Sequence, residues 1–535
     1  MSVISMGFIK HTPEEWRNVV QPHWFTPKVN PSLYRLVRPL HERELWHGNK
    51  DELLAAHLPE GVSIPKYHYS VAYALTSRLI RGLKNVSKVL IKPNNTGFIG
   101  AFMDDARLRE IMRLNGISEY ADLQPIATQP AMLAGMVDAL LDEGVDEIHI
   151  GENMLWAGGT PRAFWETGYV QVFSADRYRG KVFFVDFYEG DTETIELPIK
   201  SVRYDLGFFT KTRPPKALFD EGYDLVIVAS IAKMHNCAYY SLLIKNFSVT
   251  WNPRKKRWHI HGIPLKLFDR SYASELLKVN IPKEHEYKVF IVRKNRKRYA
   301  FITNGLLSTS PLAAYREEGE LLAQVDPHHL EGLSLAILTL GIGYLIVRFT
   351  GMFATILSEL RKRGTKLAGI ISGVVGQEGE GPLVYGSRRF GGFAVAGFNF
   401  PATEALALDM MVGKGDVGFA DLMVSQAKTF CKRYSVDISL MMSDADPPWT
   451  LKLAEELTGE TANPRKLTLS LLDFEGVSNM RSPSDLRIGP PFKLPNCVYV
   501  SPLTWLKMMY LSEDLFKHSM DYVDKGITVP LVPPI

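Results

Sequence analysis

Residues 224–236 read Asp-Leu-Val-Ile-Val-Ala-Ser-Ile-Ala-Lys-Met-His-Asn, and the reading of the fold starts from them. From Leu225 to Ser230 every side chain is apolar or small, so the segment has no face to offer water. A strand covered on both sides belongs to a parallel sheet flanked by helices, whereas a half-solvated antiparallel strand would alternate apolar and polar. Polar chemistry begins where the strand ends, with Lys233, His235 and Asn236.

The same pattern recurs outward in both directions. Val86–Ile91, Glu147–Ile150, Val182–Asp186, Leu367–Ile371, Phe393–Gly397, Ile438–Met442 and Leu467–Leu472 are short, apolar and often β-branched. Between the first two, Met132, Leu133, Met136, Val137, Leu140 and Leu141 recur at helical spacing within Gln129–Glu143, and Gly144 follows as a stop. Strand, helix and strand there make one right-handed crossover. Two β-hairpins break the alternation. Phe247–Trp251 and Trp258–His261 flank the basic tip Arg254–Arg257, and Val289–Val292 and Tyr299–Thr303 flank Arg293–Arg298. The expected fold is therefore α/β: a mostly parallel sheet flanked by helices, with two β-hairpin insertions and a C-terminal extension. Changes in rhythm divide the chain into an N-terminal extension (1–60), a first half of the α/β domain (61–270), a hairpin insertion (271–330), a second half (331–431) and a C-terminal α/β extension (432–535).

Composition narrows the class. The chain has 535 residues, enough for two cores or one enlarged core, and at 46% hydrophobic and 22% charged it is an ordinary globular composition. Lys plus Arg (62) nearly balances Asp plus Glu (58), so the overall field gives no reason to expect nucleic acid or an anionic membrane, and a basic site must be local. Cys237, Cys431 and Cys497 are far apart, which excludes a disulfide framework and a self-contained zinc or iron–sulfur motif. The amino terminus lacks the basic-then-apolar pattern of a secretory signal, so the expected location is cytoplasmic. Leu333–Val347 is apolar or small throughout but spans fifteen residues, where a bilayer core needs about 20, so it reads as a buried helix and no transmembrane segment is expected.

In open parallel sheets ligands bind beyond the carboxyl ends of the strands. Five predicted strands end in polar runs: Lys92-Pro93-Asn94-Asn95; Gly151-Glu152-Asn153; Lys233-Met234-His235-Asn236; Ser372 through Gln377-Glu378-Gly379-Glu380-Gly381; and Asn399 through Glu404. Taken together they predict one rim. Lys92, Lys233 and Lys245 supply ammonium groups for a carboxylate or phosphate, Asn94 and Asn246 add neutral donors, and Gly379 and Gly381 offer close backbone approach. His235 can move a proton near neutral pH, with Glu152 or Glu378 as its carboxylate complement. Each residue alone reads more readily as an ordinary turn residue, and the five exits together are what point to a site.

Other constellations are weaker. His259 and His261 lie two apart in a predicted strand and share a face, but without an HExxH or CxxC partner they read as hairpin histidines, and no metal is assigned. Glu404 and Asp409 are five apart on a predicted helix, about 140° around it, and do not form one site. His328 and His329 fall in a loop. There is no GxxxxGK[ST], GxSxG or GxGxxG after a strand, so ATPase, serine hydrolase and ordinary dinucleotide oxidoreductase readings lose ground, and no cofactor follows from the residues.

The ordered series IKPN (91–94), EIHIGEN (147–153), DLVIVASIAKMHN (224–236), LLIKNF (242–247), WHIHG (258–262), GVVGQEGEGPLVYG (373–386) and AGFNFPATEALALD (396–409) resembles the family called domain of unknown function 362 over about half the chain. The resemblance implies a lysine–histidine element followed by Lys-Asn, here Lys233, His235, Lys245 and Asn246, and a Glu-Gly-x-Gly-Pro loop, here Glu378–Pro382. Ser372, and Asn399 with Glu404, stand where relatives commonly carry aspartates. The ferredoxin-like cysteine cluster of many relatives is absent, so an iron–sulfur label does not transfer.

Three functions fit these residues. The first is a metabolic enzyme holding an anionic small molecule on Lys92, Lys233 and Lys245, with His235 and Glu152 or Glu378 in acid–base roles. The second is a non-catalytic protein that docks nucleic acid or an acidic partner through Arg254–Arg257 and Arg293–Arg298. The third is a metal or redox accessory protein using His235, His259 and His261.

Overall fold

The computed structural model describes residues 9–11, 52–57, 64–95, 125–153, 159–187, 195–196, 211–235, 239–249, 266–268, 288–294, 297–303, 311–316, 321–324, 349–379, 386–389, 391–412, 450–471 and 492–493. The main sheet has eleven strands. Its centre is five parallel strands in the order β5 (Val182–Asp186), β4 (Glu147–Glu152), β3 (Lys88–Pro93), β8 (Leu225–His235) and β15 (Lys366–Gly379). β8 is buried along its whole length, including Lys233 and His235 beyond the apolar or small run that starts at Leu225. Several strands run past their predicted ends because polar residues at the carboxyl side continue the ladder.

Antiparallel strands close both flanks. β1 (Ile9–His11) pairs with β5, while β17 (Phe393–Gly397), β2 (Glu52–His57) and β18 (Thr468–Leu471) follow β15 on the other side. Short strands β9 (Tyr239–Ser241) and β16 (Gly386–Arg389) fold back on β8 and β15. Residues from the first sixty and from beyond residue 432 thus add strands to the central sheet. The antiparallel direction of β17 corrects one expectation: Gly397 lies opposite Gly369, so its exit, with Asn399 and Glu404, leaves from the other end of the sheet. Asn399 instead caps a helix, its Oδ1 accepting from Ala402 N at 2.9 Å.

Helices cover the sheet. α1 (Ile64–Arg81) packs on α2 (Pro130–Asp142), one residue shorter at each end than the predicted Gln129–Glu143. Gly135 makes that packing close, for a Cβ there would stand 2.2 Å from the Tyr69 carbonyl oxygen. Tyr69 and Tyr73 hydroxyls reach across to Asp138 and Asp142 at 2.7 and 2.6 Å. α3 (Leu243–Val249) replaces the predicted strand Phe247–Trp251. Leu243, Ile244 and Phe247 bury at helical spacing, and the Phe247 ring meets those of Phe353 and Phe400 edge-on. Phe353 belongs to α4 (residues 349–362) and Phe400 to α5 (Phe400–Val412).

The second expected hairpin is present: Lys288–Lys294 and Lys297–Thr303 pair antiparallel with Arg293 opposite Arg298, within a separate five-stranded sheet. The tip Arg254–Arg257, the strands Trp258–His261 and Ile438–Met442, His328, His329 and Leu333–Val347 lie outside the described residues. No helix among the described residues is long and apolar enough to cross a membrane.

Candidate functional site

The site grows from the carboxyl ends of β3, β4 and β8. Along β3, Val89, Leu90 and Ile91 are wholly buried, and the next side chain, Lys92, is buried with them. A buried ammonium must find acceptors for all three protons or lose its charge. Lys92 finds them: its Nζ donates to Pro93 O at 2.8 Å, to Asn246 Oδ1 at 2.9 Å and to Glu152 Oε2 at 3.1 Å. Glu152, at the end of β4 and equally buried, also accepts from Asn95 N at 3.2 Å and from Asn153 N at 2.8 Å. Its carboxylate is therefore held by one cation and two amides, all from strand exits.

The loop after β3 is tied to β8. Asn94 N donates to Ala229 O and to Thr128 Oγ1, Thr128 Oγ1 donates to Ala229 O, and the Tyr169 hydroxyl fixes Thr128 O. This clamp presents Asn94 Oδ1 to Lys233 Nζ at 2.9 Å, while Ile126 O accepts the same amine at 2.8 Å. Lys233 is wholly buried. Burial drives its pKa well below the usual lysine value; the nearby charges of Lys245 and Lys92 push the same way, and Glu152 opposes them.

α3 supplies the opposite wall. Lys245 Nζ lies 2.9 Å from His235 Nε2, so with Lys245 charged the ring is neutral and accepts at Nε2. Asn246 bridges the two strands, its Oδ1 accepting a hydrogen bond from Lys92 and its Nδ2 donating to Ser230 Oγ at 2.9 Å. The start of α3 is held in turn by Glu404 of α5, whose Oε1 accepts from Ile244 N at 2.6 Å and also from Leu243 N. Glu404 is fully buried and among the described residues its Oε2 has no hydrogen-bond partner, so burial pushes its carboxyl up to about 8.

Lys92, Asn94, Glu152, Lys233, His235, Lys245 and Asn246 thus come together in one buried region as three hydrogen-bonded groups, Lys92–Glu152–Asn246, Lys233–Asn94 and Lys245–His235. Glu378 does not join it. The side chain accepts from Lys493 N at 2.9 Å and stands 3.8 and 3.9 Å from the Lys493 and Arg389 cationic groups. The register explains this: Gln377, not Glu378, lies beside Lys233, and successive strand residues face opposite ways. Gly379 ends β15 in the left-handed region at φ +73° and donates to Lys493 O, and Gly381 is outside the described residues. The sequence places Asn95 in a polar strand exit without assigning it to the site, and Thr128 and Ser230 go unread; Ser230 left a signal as a hydroxyl inside an apolar strand.

Elsewhere, a cleft lined by Leu83, Arg361, Lys366, Asn399 and Glu460 opens at the amino ends of the parallel strands, but its Arg361 and Glu460 neutralise each other. Among the described residues no three His, Cys, Asp or Glu side chains gather as a metal site; His259 and His261 lie outside them.

Comparison with known proteins adds one finding about kinship. A family model described as Domain of unknown function (DUF362) matches residues 111–409, a span that contains Glu152, Lys233, His235, Lys245, Asn246 and Glu404. No curated protein matches the sequence. A crystal structure of a protein from Thermotoga maritima aligns at 9% identity over 62% of this chain and 55% of that one, with a TM-score of 0.28, too slight a likeness to argue from. The match spans little more than half of that protein's length.

Proposed function

The chain belongs to the family described as domain of unknown function 362, and from that premise we propose that it is an enzyme of small-molecule metabolism that holds an anionic substrate at the carboxyl rim of β3, β4 and β8. The observation that carries the reading is charge. Lys92, Lys233 and Lys245 converge in a buried region, and among the described residues Glu152 is the carboxylate bonded within that cluster. Such an imbalance is costly unless an anion enters or an amine gives up its proton. A carboxylate or phosphate would relieve it, with Asn94 and Asn246 orienting the lysines and His235 exchanging a proton through Lys245.

Thermal denaturation with inorganic phosphate and with pyruvate tests this. A ligand present at about 100 times its Kd raises stability by about 2.7 kcal/mol, a shift of a few degrees. We expect that stabilisation in the wild type and its loss in Lys245→Met. If neither anion stabilises the wild type at millimolar concentration, the anion site is wrong.

A further inference from the structure

We propose that Lys233 is an amine nucleophile that condenses with the carbonyl group of an anionic aldehyde or ketone to form an imine. The inference rests on the anion-binding reading above and adds to it the substrate class and the reacting atom.

The number of hydrogen-bond partners separates Lys233 from Lys92. Among the described residues Lys92 has at least three acceptors for three protons, one of them the Glu152 carboxylate, which is what an ammonium requires. Lys233, just as deeply buried, has two among the described residues: Asn94 Oδ1 and Ile126 O, both neutral. Two acceptors match the two N–H bonds of a neutral amine and leave its lone pair uncommitted. The same charge balance that lowers the proton affinity of Lys233 also prepares a place for an anion beside it, since Lys245 and Lys92 are the two cations it feels most strongly. A lysine desolvated next to other cations is the arrangement that activates an amine towards carbonyl carbon.

The step balances without an oxidant. The Nζ lone pair attacks the carbonyl carbon, a C–N bond forms, and the carbonyl π pair moves to oxygen, which takes a proton shed by the nitrogen. The resulting hydroxyl leaves as water when the Lys245–His235 pair protonates it. The nitrogen then forms C=N, and its remaining proton restores the pair. An amine and a carbonyl compound have become an imine and one water. The substrate's own carboxylate or phosphate would sit against Lys245 and Lys92.

Reductive trapping decides the matter. The full chain is incubated at pH 7 with cyanoborohydride and, in separate arms, pyruvate, glyceraldehyde 3-phosphate or uncharged acetone, and adducts are mapped by peptide mass spectrometry. On the order of one surface lysine in a thousand is uncharged at pH 7, so Lys233 should be labelled at least about tenfold faster than exposed lysines. Labelling is expected in an anionic arm and not with acetone: the pyruvate arm alone would identify a carboxylate substrate, the phosphate arm alone a phosphate ester. Lys233→Arg and Lys233→Met should lose the adduct, and if neither variant folds the wild-type map still decides. Labels confined to exposed lysines, or equal labelling by acetone, overturn the proposal. Stabilisation by pyruvate or phosphate without trapping would overturn the imine alone. Absence of both would overturn the anion site with it.

Discussion

Lys92 and Lys233 sit on neighbouring strands in the same buried layer, yet their partners assign them different protons. For Lys92 the Glu152 carboxylate is decisive, and removing the cation would leave that carboxylate buried with two amides for company. Lys92→Met should therefore destabilise the protein by about 3–5 kcal/mol, and adding Glu152→Gln should recover a substantial part of the loss. Strictly additive urea-denaturation energies would show that the two groups do not depend on each other. For Lys233 the sign is opposite. Its lowered pKa means that the folded chain binds this proton less tightly than the unfolded one, so its contribution to stability is complete above the ordinary lysine range and is lost as pH falls. The sequence named both lysines as anion ligands. It gave no hint that one keeps its charge and the other tends to shed it, because that depends on which loop carbonyls happen to lie within 3 Å.

At the scale of elements, the segment Leu243–Val249 shows how local pattern and tertiary context divide the work. Its apolar residues suit a strand as well as a helix, and the basic run after it reads as a hairpin tip. In the fold, β9 turns the chain and Glu404 accepts from the first amides of α3, which fixes the helix and points Lys245 and Asn246 at the rim. Since burial pushes Glu404 up to about 8 from the ordinary glutamate value of 4.5, its contribution is fully present below about pH 4.5 and is lost as pH rises towards 8. Between pH 5 and pH 8 this group alone should lower stability by about 2–4 kcal/mol. Glu404→Gln keeps an acceptor for the α3 amides and should flatten that part of the pH profile. An unchanged slope would mean that another group produces it. The Glu404–Asp409 spacing had ruled out a shared carboxylate site, and the structure gives Glu404 a task within reach of a different helix.

For the molecule as a whole, the order of strands decides which amides exchange with solvent last. β8 and β15 lie between two partners each and are buried almost throughout, while β1 and β18 are edges of the eleven-stranded sheet. Native-state hydrogen exchange should give β8 and β15 amides the full unfolding free energy and the edge strands markedly less. Equal protection at β1 and β8 would contradict the order. The parallel centre was legible in advance because a strand with no polar face has only one home, between two covered faces. The antiparallel return of β17 was not legible, since its five residues are just as apolar as those of a parallel neighbour. By itself, the sequence determined the α/β class, the positions of most central strands and the gathering of lysine, histidine and carboxylate at strand ends, all consequences of side-chain pattern along a single segment. Only the tertiary structure decided that Glu378 turns away, that Glu404 serves α3, and that Lys233 has two acceptors while Lys92 has three, because direction, register and burial arise between segments that the chain separates by a hundred residues or more.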